Sequence, residues 1–147
     1  MPHFGLMDPD ALGTEAAALQ RARLHIRGGR RRLRQGKISA GLGTLYDALL
    51  SALDWYIASP DRRKNLPIQG DDNLGDDRTV FALLIKAGVI DGRFDYGGFK
   101  GLILTAPSES PAFDYEEIVN RIETVMTRLG VMPFEESELP LEDPSTY

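Results

Sequence analysis

The 147-residue chain contains no cysteine, which excludes disulfides, thiolate catalysis and cysteine-ligated metal. Histidine is scarce too: His3 and His25 are the only two, too few for an ordinary structural zinc site. No apolar run approaches the roughly 18 residues that a membrane-spanning helix needs. The N-terminus lacks the basic-then-apolar order of a signal peptide, so the expected location is the cytoplasm. Acid is missing from one stretch in particular. Residues 21 to 37 hold eight of the 17 basic residues and no Asp or Glu, so the net charge of −5 hides a basic block in an otherwise strongly acidic chain. Such a block marks an anionic partner, or a surface neutralised by the chain's own carboxylates.

What is present is helical periodicity. Between Ile38 and Ile57, the residues Ile38, Leu42, Leu45, Leu49, Ala52 or Leu53, and Tyr56 fall within an arc of about 100°, and Tyr46, Leu50 and Ile57 widen it. A stripe that broad predicts a central helix with more than one neighbour, and Asp47 and Asp54 lie on its opposite face. Upstream, Leu12, Leu19, Ile26 and Leu33 recur every seven residues behind Thr14, a candidate N-cap. The pair Gly28-Gly29 predicts a bend or a close helix crossing, and Gly36 a stop followed by an antiparallel return. Pro60 ends the central helix and opens a long loop over 59–75. A short helix should run from Asp76 or Asp77 to Gly88, and another from about Tyr96 to Leu104. Asp114 to Glu117 fits a capping box, with Phe113 and Ile118 as its hydrophobic staple, for a last helix ending at Gly130. The expected fold is all-α, an up-and-down bundle of four main helices with one or two short extra helices. Its body spans 12–131, between a flexible arm, 1–11, and an acidic tail, 132–147, with too little apolar surface to order itself without a partner.

Few residues invite chemistry. Arg23, Arg27, Arg30 and Arg34 follow a 4, 3, 4 spacing, so they project within roughly 60° of one another along the first helix. Such a ridge can grip phosphate or carboxylate. It can equally pair with acids such as Asp47 and Asp54, or with a second subunit, and this structural reading is preferred because no aromatic residues interleave with the arginines to stack bases. On the wheel Arg23 and Arg30 lean inward and Arg27 and Arg34 outward. The run from Asp71 to Asp77 lacks the glycine and glutamate of a calcium-binding EF-hand loop and reads as a polar turn. His25 has no histidine or nucleophile beside it and reads as a surface or flank residue. Tyr46, Trp55 and Tyr56 are read as core and interface aromatics that could also line a pocket between helices. No catalytic residues, metal ligands or cofactor are expected.

Gly36-Lys37-Ile38-Ser39-Ala40 leading into Leu45-Tyr46-Asp47-Ala48-Leu49-Leu50, then a short helix ending Lys86-Ala87-Gly88-Val89-Ile90, an aromatic-rich turn and a last amphipathic helix, resembles the HEPN superfamily of small helical bundles over about residues 12–130. The resemblance implies a homodimer, and a protein partner such as a nucleotidyltransferase. Some members are RNases that use an arginine and a histidine near the start of the last helix. Here no histidine follows His25, and Arg21 and His25 lie in the first helix, so the resemblance implies a non-catalytic member. The expected function is a non-catalytic interaction module that dimerises and binds a protein partner. The alternative is an RNA- or nucleotide-binding protein that uses the arginine ridge.

Overall fold

Every α-helix among the described residues packs on one central helix. The computed structural model describes residues 13–106, 114–143 and 145. Among these, six α-helices follow in order: α1 (Thr14–Arg34), α2 (Ile38–Ala58), α3 (Pro60–Arg63), α4 (Asp77–Lys86), α5 (Tyr96–Thr105) and α6 (Glu116–Leu129), with a 3-10 turn at Glu136–Glu138. The fold is an all-α helical bundle with no strand among the described residues. Helix α2 contacts each of the other five, and Ile38, Leu42, Ala48, Leu49 and Ala52 are fully buried along it. Its broad apolar stripe thus has the several neighbours that the stripe requires.

The two long helices form an antiparallel hairpin because Gly36 turns the chain sharply. Its φ of 78° is costly for residues with a Cβ. It lets Gly36 N–H donate to Leu33 O and Lys37 N–H to Arg32 O, at 3.0 and 2.9 Å, a Schellman closure of α1. Further along, the glycines serve by lacking bulk. A Cβ on Gly29 would lie 2.7 Å from Leu45 Cδ2, and one on Gly41 2.7 Å from Leu33 Cγ. Gly29 therefore marks the close crossing, with Gly41 completing it from the opposite helix.

Some expected boundaries shift. Helix α1 starts at Thr14 with Gly13 in the capping position and no side-chain cap, so Thr14 is helical rather than a cap. The 59–75 connection opens with the single turn α3, where the Ser59 hydroxyl accepts from Arg62 N–H and Pro60 occupies the first turn. The acid-rich turn satisfies itself: Asp72 accepts from Gln69 N–H, Asn73 from Gly75 N–H and Asp76 from the Thr79 hydroxyl. At α6 the capping box does not close. Asp114 accepts from Glu116 N–H, but Glu117 reaches forward to Arg121 instead of back, because the arginine offers it a charged partner one turn on. Phe113, the other half of the staple, and the arm with His3 lie outside the described residues. Gly130 ends α6 in the left-handed conformation.

Candidate interaction site

Three of the four ridge arginines are engaged from within the chain. Arg23 donates to the Val131 carbonyl at 3.0 Å, and its guanidinium lies over the Phe134 ring. Arg30 pairs with Glu123 of α6 and, at 3.8 Å, with Glu136. Arg27 and Arg31 share Glu142, at 3.6 and 3.2 Å. Arg34 is exposed and donates to the Arg30 carbonyl of its own helix. Burial holds the Arg30 pKa below its ordinary value, with Glu136 opposing and Arg34 reinforcing the shift. Two sequence expectations are corrected here. Arg27 is the most buried of the four rather than an outward one, its side chain only 10% exposed. Asp54 faces Arg21 at 3.6 Å instead of the ridge, and the ridge takes Glu123, Glu136 and Glu142. The wheel measures only the seam with α2, whereas a second surface of α1 is covered by the chain beyond α6.

That covering segment is the acidic tail, which is docked rather than frayed over the described residues 132–143. Val131 is fully buried and donates to Met126 O at 2.9 Å. Met132 and Phe134 pack on the core, and Glu136 and Glu142 reach the ridge. Low apolar content alone would leave such a segment loose, but buried charge pairs supply what it lacks in apolar area. Leu141, beside these anchors, is 90% exposed.

The three aromatics of α2 have separate partners and do not converge. Trp55 lies under the Arg62 guanidinium, 3.8 Å from its carbon, while Arg62 also pairs with Glu15 at 2.6 Å. Tyr56 is buried and accepts from the Asn65 amide. Tyr46 donates to Asp77, the centre of a cluster absent from the sequence reading: Tyr96 and Lys100 also donate to Asp77 Oδ2. Burial works against the Asp77 carboxylate, but the bonds from Tyr96 and Lys100 outweigh it, and its pKa lies below the ordinary aspartate value. Burial, then Asp77, hold the Tyr96 phenol well above its usual value, and the bond to Asp77 raises Lys100. With Tyr96 stacked on Phe81 at 4.6 Å, the cluster ties α4 and α5 to α2. His25 is buried, not on the surface, with Nδ1 2.8 Å from the Arg21 carbonyl.

A groove along α6, bounded by the 91–95 connection and by α5, was not singled out by sequence reasoning. Two adjoining hollows of about 570 and 360 Å³ share Arg93, Phe94 and Arg121. Phe94, Phe99, Leu102 and Ile118 form an apolar floor. Asp91, Asp114, Glu116 and Glu117 stand around the larger hollow, and Asp95 beside the smaller. The two cations are engaged. Arg121 donates to Glu117 at 2.9 Å and to the Arg93 carbonyl at 3.1 Å, and Arg93 faces Asp91 at 3.6 Å. Among the described residues no cation pairs with Asp95, Asp114 or Glu116. The sequence signals were faint: acids at the start of α6, and a short, glycine-rich α5 with few side chains to fill the space beside it. Such an arrangement can bind, but nothing in it pairs a nucleophile with a base.

No protein-family model matches the chain, and no match was found among curated proteins or solved structures.

Proposed function

We propose that the protein is a non-catalytic helical-bundle interaction module of HEPN type, cytoplasmic and dimeric, whose work is to bind a protein partner. The observation that carries this reading is the internal engagement of the ridge: Arg23, Arg27 and Arg30, with Arg31 beside them, are held by a carbonyl and three carboxylates of the same chain. Phosphate would have to displace them, which weighs against the RNA- or nucleotide-binding alternative. The open surface is instead the α5–α6 groove, with an apolar floor and a charged rim, the composition of a protein-binding patch. A nucleotidyltransferase remains the kind of partner that the HEPN resemblance suggests.

Salt dependence tests the reading. Affinity purification from the native host should retain a stoichiometric protein across low and physiological salt, and RNA titrated in parallel should not bind. Light scattering across protein concentrations should give twice the chain mass. RNA binding that falls steeply with salt, with no protein retained, would replace this reading by the alternative.

A further inference from the structure

We infer that the groove between α5 and α6 receives a basic amphipathic helix of the protein partner. The inference rests on the interaction-module reading and adds the chemistry of the occupant. The floor supplies apolar sockets at Phe99, Leu102 and Ile118, and at Phe94 with Val125 in the adjoining hollow. Along α6 the lining runs from Glu116 to Val125, which at 1.5 Å per residue is about 13 Å, or two and a half turns of a docked helix. Apolar residues at i, i+3 or i+4, and i+7 of such a helix would reach both hollows. The rim selects charge. Asp95, Asp114 and Glu116 stand there with no cation of the described chain on them, while Arg93 and Arg121 already face Asp91 and Glu117, so the surface offers carboxylates to an incoming cationic face.

Neither occupant from within this chain fits as well. The segment joining α5 to α6, 107–113, carries Glu109 and no base. A second copy offers α1 as its basic helix, but the apolar face of α1 is spent on α2 and its ridge on Glu123, Glu136 and Glu142.

The test is an NMR titration of the full chain, 15N-labelled, with two synthetic helical peptides of the same leucine pattern, one with lysine and one with glutamate at its polar positions. Amide shifts for the Leu/Lys peptide should concentrate in residues 91–102 and 116–125, and the Leu/Glu peptide should bind at least about tenfold more weakly. Glu116→Lys, at an exposed position, should weaken the Leu/Lys peptide by about fivefold or more, and Leu102→Ser, on the floor, should do the same. Shifts mapping elsewhere, or equal binding of both peptides, would overturn the inference. So would concentration-dependent shifts at the groove without peptide, which would give it to a second copy. Binding that appears only in a Phe113→Ser variant would give it to the segment 107–113 and overturn it as well. If the inference fails while a protein partner still co-purifies, the module reading stands; if no partner co-purifies either, both fall.

Discussion

A guanidinium nine-tenths out of water needs a counter-charge, and Arg27 has Glu142, which serves Arg31 too. The Arg27 Nε is buried without a hydrogen bond among the described residues, so its remaining stabilisation is the ion pair itself. Glu142→Gln should therefore destabilise the fold by about 1–3 kcal/mol in urea unfolding, whereas exposed Arg34→Ala should change it by no more than about 1 kcal/mol. Asp77 acts in the opposite sense, as an anion held by donors. Its depressed pKa means that its contribution is complete above the ordinary value of 3.8 and is lost as pH falls through the lower folded value. Tyr96 and Lys100 have raised values, so their contributions are complete below the ordinary 10.0 and 10.5 and fade as pH rises beyond them. Wild-type stability should thus fall off on both sides of a plateau between these limits. Asp77→Asn, measured by urea unfolding across pH, should lower the plateau and flatten both arms.

At the scale of the elements, the α1–α2 hairpin is set by missing side chains. Gly29→Ala would gain about 1 kcal/mol of helix propensity. It would also place a methyl group against buried Leu45 and near the Gly41 carbonyl, an overpacking cost of about 1–3 kcal/mol. A net loss of stability in thermal unfolding is expected, whereas the same change at Gly43, where a Cβ meets nothing, should raise stability. Much of this level was legible in the sequence. Ile38 to Ile57 falls one residue short of the observed α2, and Tyr96 to Leu104 one short of α5, because apolar spacing and glycine or proline stops are local signals. Capping was read less well. Thr14 and the box at Asp114 to Glu117 fit the pattern, yet Gly13 holds the capping position and Arg121 draws Glu117 away from the box. What the periodicity could not carry was the second covered face of α1. Arg27 lies off the α2 seam, and the carboxylate that buries it, Glu142, is 115 positions away with no periodic link to it. The groove was hidden for the same reason: Asp95 and Phe99 at the start of α5 meet there Asp114 and Ile118 from a separate stretch of chain.

For the whole molecule, the basic block and the acidic surplus become parts of one arrangement: α1 is the seat of the chain's own tail. Removing residues 132–147 takes away five carboxylates, among them Glu136 and Glu142, and should expose the ridge. The truncated chain should unfold at lower urea and gain RNA binding that weakens steeply with salt, which full-length protein should lack. That gain would arise because the ridge lost its internal partners. The central claim is that the arginines are spent inside the fold, and a double-mutant cycle tests it most directly: Arg27→Met, Glu142→Gln and the pair, compared by urea unfolding at several protein concentrations. The account predicts a favourable coupling of about 0.5–3 kcal/mol that does not change with concentration. A coupling of zero would contradict it, and so would one that grows with concentration, which would move the contact to an interface between copies.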